Sequence, residues 1–214
     1  MLPSAEVDAA LGLLLLRESQ PLTVYATDPV RQILTDNRIF DVLRRQPDQV
    51  CWVRVDRNRS FSLGASGIEC LAVSTDGDFP GFVTQEQAAP FDRADAVLGM
   101  FFSHRGRRAA FFPSAARVEA EWLHAMAECD VVFFDGTFWS DDELIRLQGN
   151  GKTARQMGHH PVAETLPALA GLKTRKIFIH INNTNPVLDE ESEEFRKVRD
   201  AGWETAWDGM ELVV

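Results

Sequence analysis

Two short apolar runs in the C-terminal half, "VVFFD" (131–135) and "KIFIHI" (176–181), limit the fold more than anything else in the chain. Each has the length and apolar character of a strand, and each ends in side chains built for hydrogen bonding. "RVEAEWLHAMAEC" ahead of the first run has amphipathic helical spacing, and "PVAETLPALAGL" between the two is a second helix candidate. A last strand is expected near "WETAW" and "MELVV". Alternation of helix and strand in this way specifies α/β architecture.

The rest of the chain divides by texture. "SAEVDAALGLLLLRE" reads as a buried helix with Ser4 available as N-cap and acids in the first turn. "LTVYATDPV" is a strand stopped at Asp28-Pro29, and "VRQILTDNRIFDVLRR" has the helical spacing of Ile33, Ile39, Val42 and Leu43. From 51 to 112, "CWVRV", "FSLGASGIECLAV", "AVLGMFFSH" and "RRAAFFPS" form short β-prone pieces, for which a run of antiparallel strands is the simplest account. A long polar loop, 74–95, interrupts them. At 214 residues one sizeable domain, 1–214, is expected.

Charge excludes some functions. A net charge of −10 repels nucleic acid and anionic lipid, and the cluster Arg105, Arg107, Arg108 is too short to reverse it. Cys51, Cys70 and Cys129 are odd in number and form no CxxC pair, so the sequence offers buried thiols and no disulfide framework or zinc knuckle. The greasy run Leu11–Leu16 falls far short of the ~20 residues of a membrane span. It follows Glu6 and Asp8 without a basic segment, so no signal peptide is read and the expected compartment is the cytoplasm.

Ligands of α/β folds collect at the carboxyl ends of strands. Asp135 and His180 occupy such ends, and "MGHHP" places His159 and His160 before a helix start at Pro161. One acid with two or three imidazoles suits Fe, Mn or Zn. The plain alternatives are that Asp135-Gly136 shapes a turn, that His159 and His160 cap or line a helix, and that His180 is satisfied by its neighbours. His104 and His124 read as surface residues, and "DGTFWSDDE" has the carboxylates of a general acid/base site, although such a run of acids more often marks a solvated loop. No nucleophile elbow, GxGxxG after a strand or Walker A lysine is present.

"CDVVFFDGTFWSDDEL", "TARQMGHHP" and "KIFIHINNTNPVLDEESEE", closing on "WDGMELVV", resemble the pyrroloquinoline quinone (PQQ) biosynthesis protein B family along essentially the whole chain. That resemblance implies an α/β, metallo-β-lactamase-like αββα sandwich, here incomplete at its N-terminus. It also implies roles: His180 as a metal ligand, Asp8 as the acid of the first metal motif, and Asp135 and His159 as catalytic or ligand-orienting groups with His180. Asn182, Asn183 and Asn185 would line the substrate pocket. The superfamily's H-x-H-x-D-H motif is reduced to Asp8, followed by Ala9 and Ala10, and "FFPSA" lacks a bridging aspartate, so a two-metal hydrolase is not expected. The resemblance implies either an iron-type oxygenase, with Fe, Mn or Zn as the metal, that hydroxylates the tyrosine of a Glu-Tyr-derived precursor, or a carrier of PQQ or its precursor towards the periplasm. Other PQQ biosynthesis proteins are the implied partners. Missing strands and the apolar face of 11–16 would favour homo-oligomers.

Overall fold

A computed structural model describes residues 1–16 and 20–214, so Arg17 and Glu18, the end of the expected first helix, lie outside the described residues. The chain forms two compact units, Met1–Arg59 with Ala72–Leu98, and Ser60–Leu71 with Gly99–Val214.

In the first unit, two single turns, α1 (Val7–Ala10) and α2 (Gly12–Leu15), replace the one long helix expected. Glu6 stands at the N-cap without a side-chain capping hydrogen bond, while Ser4 Oγ accepts from the Glu6 N–H at 3.3 Å. Gly12 inside the stretch weakens a continuous helix. Only one side is buried, through Ala10 and Leu13; Val7, Leu11, Leu15 and Leu16 are exposed.

Strand β1 (Leu22–Ala26) leads into α3 (Asp28–Asp36), whose cap is Thr27, accepting from Val30 N, with Pro29 in the first turn where its missing N–H costs nothing. Asn37, at φ −87° and ψ 116°, ends α3, and residues 38–44 continue as a 3₁₀ helix. Strand β2 (Val50–Arg54) then pairs parallel with β1, Val24 opposite Trp52. "CWVRV" is therefore not part of an antiparallel run, because the intervening helical crossover returns the chain in the same direction. Val24, Ala26, Val30, Leu34 and Leu43 are buried in this unit's core.

The antiparallel expectation holds for β3 (Ser60–Ser62) with β4 (Glu69–Ser74) and for β5 (Leu98–His104) with β6 (Arg107–Phe112). Arg105 and Gly106, both at positive φ, form the two-residue turn of the second pair. Within the polar loop, α4 (Gln85–Ala88) carries a complete capping box from Thr84 and Gln87.

The second unit continues with α5 (Ala120–Ala127), β7 (Val131–Asp135), α6 (Glu143–Gln148), α7 (Val162–Ala168), β8 (Arg175–Ile179), α8 (Glu193–Asp200) and β9 (Trp203–Thr205). The sheet order is β3-β4-β5-β6-β7-β8-β9, and β6 to β9 run parallel. "MELVV" adds no strand. Phe112, Phe134 and Phe178 are fully buried, and the Phe178 ring stacks on Trp203 at 4.0 Å. Gly99 is required on β5 because a Cβ there would lie 2.3 Å from the Phe112 ring.

Candidate functional site

The second unit's parallel strands bring the polar residues of β7 and β8 to one end. In register, Asp135 lies opposite Ile179, so His180 follows one step beyond its neighbour's last residue. Gly136 allows the close passage: a Cβ there would meet Phe178 Cβ at 2.8 Å and the Ile179 carbonyl at 3.1 Å. The Asp-Gly pair thus serves strand approach, not a positive-φ turn.

Asp135 is fully buried, and both its oxygens are occupied. Oδ1 accepts from the Thr137 N–H at 3.0 Å and the Thr137 hydroxyl at 2.6 Å. Oδ2 accepts from the Ala115 N–H at 3.0 Å and lies 2.8 Å from His159 Nδ1. With its proton given to Asp135, the Thr137 hydroxyl can only accept from its other neighbours, His180 Nδ1 at 2.8 Å and His159 Nδ1 at 3.0 Å. Hydrogen-bond bookkeeping therefore puts a proton on Nδ1 of both imidazoles and the lone pair of each on Nε2. The rings stack at 5.4 Å, and Phe138 meets His159 edge-on at 5.7 Å.

His180 is exposed and adopts φ +56°, a left-handed conformation that costs an ordinary side chain about 1–2 kcal/mol. The following segment holds it there. Asn182 N–H donates to the Thr137 carbonyl at 3.1 Å, and Asn185 Nδ2 donates to the Gly136 carbonyl at 2.8 Å. Asn185 Oδ1 also accepts from Val187 N–H, capping a 3₁₀ turn. With its amide fully committed and only 2% exposed, Asn185 clamps the strand ends instead of lining a pocket. Asn182 Nδ2 turns to Thr184 Oγ1 at 2.6 Å, while Asn183 is exposed.

His160 Nδ1 lies 2.9 Å from the Thr165 hydroxyl of α7, the helix-lining alternative. Burial, and next the Arg155 guanidinium, push its pKa below the usual imidazole value. His124 is exposed, whereas His104 is half-buried with Nδ1 3.0 Å from the Gly67 carbonyl. Asp8 lies on α1 in the first unit, its Oδ1 accepting from the Ala9 N–H.

Among the described residues, Asp135, His159 and His180 bring one potential ligand atom each within 4.8 Å of one another. The donor set fits a divalent ion of the Zn or Fe type. A carboxylate holding the Nδ1–H of a ligating histidine is the usual outer support of such a site, and Asp135 has that arrangement towards His159.

Two participants escaped the sequence reading. Thr137 stands two residues after Asp135, a spacing that lets a hydroxyl return to the carboxylate, but its link to both imidazoles needs the folded strands. Glu143 was grouped with solvated acids, yet it is 3% exposed. It accepts from the Trp139 N–H at 2.7 Å and from the Thr184 hydroxyl at 2.6 Å.

This sheet, with Asp135 and His180 at neighbouring strand ends and His159 in the loop before α7, is that of a β-lactamase superfamily domain, and that family's model matches residues 2–181. Coenzyme PQQ synthesis protein B of Methylobacterium nodulans is 38% identical over 99% of this chain and 71% of its own length. The protein of that name from Ruegeria pomeroyi is 36% identical over 100% and 72%. A crystal structure of Zn(2+)-bound PqqB from Methylobacterium extorquens has a TM-score of 0.89 and 35% identity, over 100% of this chain and 72% of that one. The chain belongs to the coenzyme PQQ synthesis protein B family, and its fold is that of the metallo-β-lactamases. No helix among the described residues is long and apolar enough to cross a membrane.

Proposed function

We propose that this chain acts in PQQ synthesis as a metal-dependent oxygenase that hydroxylates the tyrosine ring of a Glu-Tyr-derived precursor. The observation that carries this reading is the pair of stacked imidazoles whose Nδ1 atoms are held by Thr137 and Asp135, which directs both Nε2 lone pairs to an external ligand. The family relatives carry a PQQ-synthesis name, and one of them is described as binding Zn(2+).

In this reading His159 and His180 hold the ion, Asp135 and Thr137 fix the two rings, and exposed Asn183 contacts the substrate's carboxylates. A bound divalent metal would supply open coordination positions for oxygen chemistry. Buried Asp135, accepting the His159 Nδ1–H, would strengthen that ring as a ligand. In the overall reaction one oxygen atom of O₂ enters the ring and the other leaves as water, with two electrons from an added reductant.

The test is to load the purified chain anaerobically with Fe(II), Mn(II) or Zn(II) and measure bound metal by elemental analysis. Native protein is then compared with His180→Ala and Asp8→Ala, and oxygen-dependent hydroxylation of a Glu-Tyr peptide is followed by mass spectrometry. One ion per chain, lost with His180, and a product heavier by one oxygen are expected. Asp8→Ala decides separately whether Asp8 is a ligand. A native chain that binds no metal removes the enzyme, and tight PQQ binding without turnover makes the chain a carrier.

A further inference from the structure

Glu143 is a buried acid that the reading above does not use. Its carboxylate is 3% exposed and makes two hydrogen bonds, from the Trp139 N–H and the Thr184 hydroxyl. Burying a carboxylate is expensive unless each oxygen is satisfied, and here each oxygen receives one donor. The bond to Thr184 reaches across 41 residues, from the start of α6 to the segment after β8.

That segment must hold His180 in a left-handed turn. It is fixed at Asn182 by the backbone bond to Thr137 and at Asn185 by the side-chain bond to Gly136. Between these two points Asn183 is exposed, and the Thr184 hydroxyl is held by Glu143 on one side and Asn182 on the other. Since Thr184 gives its proton to Glu143, it accepts from Asn182, which orients the Asn182 amide as well.

We propose that Glu143 is a positioning residue for His180: through Thr184 and Asn182 it locks the turn that presents the imidazole beside His159. It touches neither ring, so its effect is on geometry, and its link to metal binding rests on the function proposed above.

Amide hydrogen exchange on the metal-free chain tests the positioning directly. In Glu143→Ala, the Asn182 and Asn185 amides should exchange about tenfold faster or more, while those of Phe133 and Phe134 in β7 keep their protection. Glu143→Gln retains an acceptor for the Trp139 N–H and can donate to Thr184, so its exchange should stay within about twofold of native. Thr184→Val, which removes the hydroxyl at constant shape, should repeat the Glu143→Ala pattern even if that variant fails to fold. Unchanged exchange in Glu143→Ala or Thr184→Val, or Glu143→Gln behaving like Glu143→Ala, overturns the proposal. Zn²⁺ titration then adds the functional consequence: about a 10- to 100-fold loss of affinity in Glu143→Ala, with Glu143→Gln near native. If the native chain binds no Zn²⁺, the metal reading fails while the exchange result still decides the positioning role.

Discussion

The two ends of β7 and β8 are equally rich in charged and polar side chains, yet only one end has the properties of a site. At the amino end, Asp130 pairs with Arg107 at 2.8 Å, and Arg175 forks onto Glu204 at 2.7 and 2.8 Å. These pairs are wet: the side chains of Arg175 and Glu204 are 43% and 42% exposed. At the carboxyl end, Asp135 is fully buried and meets imidazole, hydroxyl and amide donors. Water screens the first set and replaces any lost partner, whereas a donor orphaned in the second set stays unpaired. Burial of polarity, not its amount, separates an equipped strand end from a surface.

The largest test of that contrast is Asp135→Ala. It leaves Ala115 N–H, Thr137 N–H, the Thr137 hydroxyl and His159 Nδ1 without their acceptor. Each buried donor left without an acceptor costs about 1–3 kcal/mol, so urea unfolding should show a loss of about 3 kcal/mol or more. A loss under about 1 kcal/mol, the scale of an exposed pair, would erase the distinction between the two ends.

His180→Gly separates presentation from stability. Glycine accepts φ +56° without a Cβ penalty, so unfolding free energy should change by no more than about 1 kcal/mol. Calorimetric Zn²⁺ binding should nevertheless fall below detection if the exposed imidazole is a ligand. Retained binding would move the ligand role away from β8.

How far this was legible follows from which interactions are local. The apolar runs of β7 and β8 and the helices around them carry their own period, so the α/β half was readable. So was the convergence of Asp135 and His180, since strand ends in such folds meet, with His159 brought in by the loop before α7. α8 was not, because Phe195 and Val198 are the only large apolar residues among its eight, and its burial is tertiary. The parallel pairing of β2 with β1 depends on a crossover that no residue of "CWVRV" records. Glu143 lies in a run of acids that reads as solvated, and only the approach of Thr184 from the far side of β8 makes it a buried acceptor. Asn185 likewise looked like pocket wall, but its amide is spent on the backbone of the neighbouring strand end.

A smaller effect belongs to Arg175→Ala. It removes the forked pair with Glu204, whose pKa that guanidinium holds below the usual carboxylate value. An exposed pair of this kind contributes little, and added salt reduces it further. Unfolding in low and high salt should show the variant approaching native stability as salt rises, with Zn²⁺ binding unchanged. A salt-independent loss would mean that the amino end is desolvated after all.

The finest test concerns, by acid, the aspartates at the two ends of β7, Asp130 just before it and Asp135 at its close. The Arg108 N–H, and then the Arg107 guanidinium, hold the pKa of Asp130 below its ordinary value of 3.8. Between the lowered folded value and 3.8 the unfolded chain binds more protons than the folded one, so stability rises with pH in that window. The contribution is therefore complete above the unfolded value and disappears as pH falls through the folded one. Asp130→Asn should lower the melting temperature slightly at about pH 6, and the gap to native should close as pH falls below about 4. Because Asp130 faces water, native and variant should still denature cooperatively in acid. A variant that instead lost as much stability at about pH 6 as Asp135→Ala would give Asp130 the structural weight assigned here to Asp135, and the asymmetry between the ends of the strand would be lost.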